Sequence, residues 1–417
     1  MTEDSTAPAA RSRQASFRFI FAVALMNSIS FGIMIPILPN LVKEFVGGDT
    51  AAASEWNLVF ASAWGLMQFF TSPILGLMSD RWGRRPVLLI SLFGLGVDFV
   101  FMALAPGLWW LLLGRLLNGA TAASFSTAGA YLADVTAPQE RAKVFGWMGS
   151  AFSVGFIFGP AVGGFLGEID LRLPFVAAAA LTFVNWLYGL LILPESLPPE
   201  RRATRFEWKR ANPVGALQLL RSKRGLISLA SIGFLFQLSH MVLPTIFVLY
   251  VGHRYGWTPS TMGVMFMLTG VAGLIVQSGL VGPVVKRIGE RNAVLLGTLG
   301  GLTGFAWYGA APTGTIYLVG IPIFALTGFI MPGLQGLMTR RVAPHEQGQL
   351  QGANQSLTGL AAILGPIIFG ATFAWSLRHE TFQVPGLAIF LAAGLLGLGF
   401  LIALCTAKTV EPEAQAA

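Results

Sequence analysis

Twelve stretches of this chain are each about 20 residues or slightly longer, mainly apolar and nearly free of charge, and they leave few ways for it to fold. They run over 19–41, 55–77, 86–105, 108–132, 142–167, 173–194, 225–250, 259–283, 292–311, 315–339, 348–374 and 384–406. A helix of about 20 residues matches the hydrocarbon thickness of a bilayer, about 30 Å. In hydrocarbon every backbone N–H and C=O must bond within the chain, which a continuous helix achieves. A soluble protein could not hide so much apolar surface: 54% of the 417 residues are hydrophobic and 11% charged. The expected class is an all-α membrane protein of twelve transmembrane helices, with the lipid bilayer as solvent.

Lysine and arginine set its orientation. With both termini inside, inner segments hold 22 of the 27 cations, outer loops hold Lys43, Arg172, Arg254 and Arg378, and Arg115 lies within a span. Inner loops collect positive charge, so both termini are expected in the cytoplasm. The net charge of +8 then marks one membrane side and gives no reason to expect nucleic acid. Arg11, Arg13 and Arg18 precede the first run as in a signal peptide, but that run is too long and lacks a small-x-small cleavage site. It is read as an uncleaved span. The single cysteine, Cys405, excludes an internal disulfide and a cysteine metal cluster. The four histidines (His240, His253, His345 and His379) show no ligand spacing, and no catalytic grouping is present. No enzyme activity, metal or cofactor is expected.

Charge inside the spans is scarce and therefore informative. Asp98 is the one acid, and Arg115 the one cation, well inside a span. An ionised carboxylate there costs on the order of 3 kcal/mol or more, so it needs a partner or a proton. Counting about 1.5 Å per residue places Asp98 roughly 18 Å from the inner end of span 3 and Arg115 roughly 10 Å from the outer end of span 4, so their depths nearly coincide. The two are expected to pair, either as a proton-coupling or substrate element or as a fixed tie between helices. Polar residues at mid-depth are candidates to line a cavity: Asn27, Gln68, Asn118, Gln237, His240, Gln277, Gln335 and Asn354. Each could equally be a hydrogen-bond partner between helices. His240 adds the capacity to titrate near neutral pH.

The chain repeats itself. A shift of 206 places Gly76 on Gly282, Gly83 on Gly289, Arg85 on Arg291, Gly146 on Gly352, and Gly159 and Pro160 on Gly365 and Pro366. Ala137, Pro138 and Glu140 fall likewise on Ala343, Pro344 and Glu346. Two parallel six-span repeats mark a large class of transporters. The expected organisation is a disordered cytoplasmic N-terminus (1–18), a six-helix half (19–194), a cytoplasmic linker (195–224), a second six-helix half (225–406) and a cytoplasmic tail (407–417).

GLMSDRWGRRP, from Gly76 to Pro86, resembles the cytoplasmic signature loop of the major facilitator superfamily. LGRLLNG, from Leu113 to Gly119, resembles its span-4 arginine motif. Gly149, Gly155, Gly159, Pro160, Gly163 and Gly164 resemble the span-5 motif of its drug/proton antiporters. VDFVFMA (97–103), AYLAD (130–134) and EQGQLQG (346–352) are similar to the tetracycline-resistance branch. The resemblance implies the major facilitator fold and alternating access around a central site. Gly76, Asp80, Arg81, Gly83, Arg84, Arg85 and Asp134 would form a cytoplasmic gate, with Asp80 docking on the start of span 11 near Gln349 and Arg84 pairing with Asp134. The plain alternative is a basic loop that fixes orientation. The span-5 glycines and Pro160 would allow close helix approach, in a rocking contact or in ordinary packing.

The sequence also departs from that branch. By the same register the tetracycline antiporters place an Asp, a His and an Asp where this chain has Asn27, Gly273 and Gly301. The expected task is proton-coupled efflux of a small, partly apolar organic compound, by a monomer in a bacterial inner (plasma) membrane, with tetracycline a poor substrate. The rivals are an uptake transporter or uniporter without proton coupling, and a non-transporting receptor or scaffold on the same fold.

Overall fold

The computed structural model describes residues 7–136, 141–202, 220, 225–342, 347–379 and 384–406. The 407–417 tail and most of the 195–224 linker lie outside these residues. Among the described residues the regular structure is helical, and eight helices are long and apolar enough to cross a membrane. A ninth counts if the bent pair Thr50–Ser72 and Ile74–Trp82 is one span. The sequence pattern suggested twelve, and the difference has local causes. The fourth apolar stretch is broken between Leu108–Thr121 and Ser124–Val135, so neither piece is long enough alone. The run Pro259–Ala310 is continuous by composition. At 52 residues and about 1.5 Å per residue it would be well over twice the thickness of the hydrocarbon core. It turns at Gly289, whose φ of 80° and ψ of 161° are not helical.

Lipid as the solvent is visible on the surface. Trp109 is 73% exposed, and Leu104, Ile169 and Leu191 are comparably bare. Water would not tolerate apolar surface on this scale, whereas hydrocarbon does.

The chain divides into two units. Unit 1 comprises Met1–Phe45, Ala63–Ala211 and Thr258–Met267, and unit 2 comprises Val46–Ser62, Asn212–Trp257 and Leu268–Ala417. The division does not follow the linker: each unit includes one helix end from the other sequence half.

In unit 1, α1 (Ala7–Met34) packs along α7 (Arg141–Ile169), and α4 (Arg84–Leu104) packs on α8 (Leu173–Leu191) and α5 (Leu108–Thr121). Helix α1 begins at Ala7, inside the stretch expected to be disordered. Ala7, Ala9 and Ala10 are strong helix formers, and the first span continues their helix. Helix α2 (Leu38–Phe45) precedes α3 (Thr50–Trp82), and α6 (Ser124–Val135) follows α5. At one end of the unit Ile20, Leu88, Leu92, Tyr131 and Leu193 form a buried cluster, and the Tyr131 hydroxyl donates to the Pro194 carbonyl at 3.0 Å.

In unit 2, α9 (Leu226–His240) and α10 (Val242–Tyr255) precede α11 (Pro259–Leu274), whose first turns belong to unit 1. A π-helical stretch, Ile275–Leu280, leads into α12 (Val281–Ala310). Then come α13 (Gly314–Ala325), α14 (Ile330–Thr339), α15 (Gln347–Arg378) and α16 (Leu387–Thr406). Helix α16 packs on α12 and α9.

Candidate functional site

The turn between α3 and α4 is built around Gly83. Its φ of 110° and ψ of 163° lie in a region that is essentially glycine's alone. Its repeat partner Gly289 has nearly the same angles, so the turn is preserved in both halves. At Arg84 the chain re-enters a helix, and the free N–H groups of Arg84 and Arg85 donate to the Glu195 carboxylate at 2.8 and 3.2 Å. The same carboxylate accepts from the N–H groups of Ser196 and Leu197. Glu195 therefore binds the start of the linker to the turn. The sequence reading missed it, although an acid directly after Pro194 in a basic stretch was the available signal.

Arg84 is the hub. Its guanidinium contacts Asp80 one turn earlier, donates to Ser79 Oγ at 3.2 Å, and donates through Nε to Asp134 Oδ2 at 3.0 Å. Asp134 also accepts from Ser196 Oγ at 3.2 Å. Arg85 donates to the Gly189 and Leu190 carbonyls at the end of α8, where a cation suits the helix dipole. Asp80 is half exposed, Arg81 is exposed, and a side chain at Gly76 would meet open space.

Unit 2 has the counterpart with its charges reversed. The shift of 206 carries Arg84 to Glu290, Asp134 to Arg340 and Asp80 to Lys286. Glu290 and Arg340 form an ion pair, as Arg84 and Asp134 do. Both halves thus tie the same two structural positions, with acid and base exchanged.

Gly83→Ala tests the turn. A Cβ at Gly83 would overlap the Glu195 carboxylate, which four N–H groups hold in place. A Cβ at Gly289 would meet nothing within 4 Å among the described residues. Both substitutions carry the backbone penalty of about 1–3 kcal/mol, and Gly83→Ala adds the collision. Thermal denaturation in detergent should show Gly83→Ala clearly below Gly289→Ala, with Glu195→Ala recovering part of the difference. Equal melting temperatures for the two variants would contradict this account.

Asp98 on α4 and Arg115 on α5 form an ion pair, 0% and 6% exposed. Asp98 Oδ1 has no hydrogen-bond partner among the described residues, so part of the carboxylate is free to accept one. A Cβ at Gly114 would lie 2.7 Å from that oxygen, so the glycine makes room for it.

The polar candidates separate into distinct environments. In unit 1 Asn27 donates to Ser124 Oγ at 3.2 Å, and Asn118 accepts from Trp64 Nε1 at 2.6 Å, so both join neighbouring helices. Gln68 is half-buried on α3, and Gln277 is exposed in the π-helical stretch. In unit 2 Gln237, Gln335 and Asn354 line one open cavity. Thr358 accepts from Gln237 Nε2 there at 3.1 Å, and Phe234, Met331 and Met338 complete an uncharged wall. His240 is apart from this cavity, stacked on Phe324 beside Phe236.

The span-5 glycines act mainly within unit 1. A Cβ at Gly159 would lie 2.6 Å from Gly32 Cα, and side chains at Gly155 and Gly163 would strike the α1 backbone at Ser28 and Ile33. Gly164 instead faces Pro259 and Gly263 at the start of α11. Where the branch resembled above has a span-9 acid, a side chain at Gly301 would meet Leu396 and Thr327, so the space is already filled.

A multi-pass membrane protein of two internally repeated halves, with a matching charged turn in each, is a secondary transporter. The comparisons identify the kind. The chain belongs to the Major Facilitator Superfamily, whose sequence profile matches residues 20–366 and 238–416. It is 36% identical over 357 residues to the class C tetracycline resistance protein of Escherichia coli, covering 86% of this chain and 89% of that protein. It is 33% identical over 390 residues to the class B protein of the same organism, covering 93% and 96%. Among solved structures it is similar to the nucleoside transporter NupG, with a TM-score of 0.77, 14% identity, and 95% and 100% of the two chains covered.

Proposed function

We propose that this protein is a proton-coupled exporter of a small, partly apolar organic compound, working by alternating access with twelve spans, cytoplasmic termini and a single chain as the functional unit. The observation that carries this reading is the Asp98–Arg115 pair: a buried acid with one oxygen bonded to a cation and the other without a protein partner among the described residues. Such a carboxylate can accept a proton when the pair separates and lose it when the pair re-forms. The tetracycline-resistance relatives support export as the direction.

The unit 2 cavity supports the substrate class. Its amides and hydroxyl give hydrogen bonds, its methionines and phenylalanine give adaptable apolar contact, and among the described residues no charged side chain lines it. A substrate portion held there is neutral and combines polar edges with apolar faces. The reading is tested in proteoliposomes by screening a panel of such compounds, tetracycline and ethidium included, with and without a pH gradient. Accumulation that follows the gradient supports it, and equal accumulation without the gradient refutes the coupling.

Tetracycline itself is expected to be exported weakly or not at all. Asn27, Gly273 and Gly301 replace ionisable residues, and Leu396 closes the space at Gly301. Expression in a sensitive bacterial host should leave the inhibitory concentration within about twofold of the empty vector. Robust resistance would show that those sites are dispensable.

For the gate, Asp80→Asn is expected to slow transport at normal expression. The acid adds nothing to a positive-inside signal, so its presence points to a contact made in another conformation. Turnover equal to wild type in the purified variant would reduce the segment to a topogenic turn.

A further inference from the structure

At the end of unit 2 remote from the Gly289 turn, four of the chain's six tyrosines meet. Tyr250 and Tyr255 lie on α10, Tyr308 near the end of α12 and Tyr317 near the start of α13. Tyr308 and Tyr317 stack, with ring centroids 4.2 Å apart and planes 11° apart. Tyr255 meets Tyr317 edge-on at 5.9 Å and Tyr250 at 6.0 Å. Phe247, Trp257 and Phe324 pack around them.

The four hydroxyls are of two kinds. Tyr250 donates its proton to the Tyr308 carbonyl at 3.0 Å, and Tyr255 donates to the Ala311 carbonyl at 2.8 Å. Each of these phenolic oxygens keeps a lone pair with which to accept. Tyr308 and Tyr317 are 1% and 0% exposed, and their hydroxyls have no hydrogen-bond partner among the described residues. The Tyr317 hydroxyl interacts electrostatically with those of Tyr308, Tyr250 and Tyr255, so the four are near neighbours. Two donors without acceptors thus lie beside two oxygens able to accept.

The repeat shows that packing alone does not need these hydroxyls. Its register holds without drift here: α4 ends at Leu104 and α12 at Ala310, and α5 begins at Leu108 and α13 at Gly314. The shift of 206 carries Met102 to Tyr308 and Leu111 to Tyr317. Met102 and Leu111 are fully buried too, so unit 1 fills both positions with apolar side chains where unit 2 buries a hydroxyl in each. A buried hydroxyl is costly unless it is bonded. We propose that Tyr250, Tyr255, Tyr308 and Tyr317 form an internal water site. A water that accepts from Tyr308 and Tyr317 and donates to Tyr250 and Tyr255 satisfies both unpartnered hydroxyls and completes its own four bonds. It ties α10, α12 and α13 together at one point. The site involves neither substrate nor proton transfer, so it stands independently of the export reading.

X-ray radiolytic footprinting of the full wild-type chain in nanodiscs tests the site, because hydroxyl radicals made from a bound water modify the side chains that hold it. Tyr131 is the matched control: it is equally buried, but its hydroxyl already donates to the Pro194 carbonyl. Tyr308 and Tyr317 should be modified about fivefold faster than Tyr131 or more, since an enclosed water lies against them. After transfer into isotopically labelled water the heavy oxygen should enter them slowly, as an enclosed water exchanges. Tyr317→Phe gives a second reading through its sign. Removing a hydroxyl that holds a water should lower the melting temperature, by about 2 °C, whereas removing one that bonds nothing should raise it. Modification of Tyr308 and Tyr317 no faster than that of Tyr131, or a Tyr317→Phe protein that melts at or above the wild-type temperature, would each overturn the proposal.

Discussion

Asp98→Asn is expected to abolish gradient-driven accumulation, by about 100-fold or more, while leaving substrate exchange between equilibrated compartments close to normal. Asparagine has nearly the shape of aspartate, so the space beside Gly114 stays filled and its carbonyl can still accept from Arg115. What it cannot do is carry a proton. Exchange requires no net proton movement and should persist. Arg115→Ala is a different perturbation, because it leaves a buried carboxylate unpaired, and breaking a buried pair from one side costs about 3–5 kcal/mol. That variant should be recovered poorly from membranes. Neutralising both partners, Asp98→Asn with Arg115→Gln, removes the uncompensated charge and should restore recovery without restoring coupling. The double variant separates the two readings of the pair. If it folds well and accumulates substrate against the gradient at full rate, the pair is structural and protons are carried elsewhere or not at all.

Gly159→Val should cost more folded protein than any single change at the turns. The atoms a side chain would meet are backbone: Gly32 Cα at 2.6 Å and the Ile29 carbonyl oxygen at 2.8 Å. A flexible neighbour could rotate away, but two helix backbones must separate along their contact. Forcing groups into a packed interior commonly costs about 1–3 kcal/mol, and here no rotamer change offers relief. Lipid supplies little hydrophobic force to re-seat the helices, so close packing carries more of the stability than in water. Gly359→Ala, on α15, is the matched control. Among the described residues nothing lies within 4 Å of its Cβ position, so the helix should gain about 0.5–1 kcal/mol. Size-exclusion profiles and melting curves should show Gly159→Val aggregated or strongly destabilised and Gly359→Ala at or slightly above wild type. A monodisperse Gly159→Val protein with wild-type melting would mean that α1 and α7 do not depend on their close approach.

Much of the fold was legible because lipid imposes simple rules. A bilayer-spanning helix must be long and apolar, and the runs at 86–105, 173–194 and 384–406 correspond closely to single helices. The ion-pair cluster at the α3–α4 turn was legible because an acid adds nothing to a positive-inside loop, and Arg84 does contact Asp80 and Asp134. The Asp98–Arg115 pair was legible from depth alone. What could not be read depends on which way a helix face points. Eight polar residues at mid-depth satisfy the same hydropathy criterion, yet Gln237, Gln335 and Asn354 share a cavity whereas Asn27 and Asn118 bond to neighbouring helices. Gly32, the partner of Gly155 and Gly159, belongs to no motif, because a glycine's value there comes from a helix more than 100 residues away. The reversed charges at Glu290 and Arg340 were present in the 206-residue register, but a search for identical residues passes over opposites.

The exchange of helix ends bears on the order in which the protein is made. Ser54 meets its partner Gly370 across 316 positions of chain. At about 5–20 residues per second, a ribosome needs roughly 15–60 s to cover that distance. Unit 1 is complete in sequence once residue 267 has been synthesised, whereas unit 2 must wait for Arg378 to pair with Glu55. During that interval the start of α3 is already made but its acceptor does not yet exist. The linker is therefore a poor place to divide the chain into two co-expressed fragments. A break after residue 224 deprives the first fragment of Ser260 and leaves Gly164 facing nothing, whereas a fragment extended through Met267 keeps every segment of its unit.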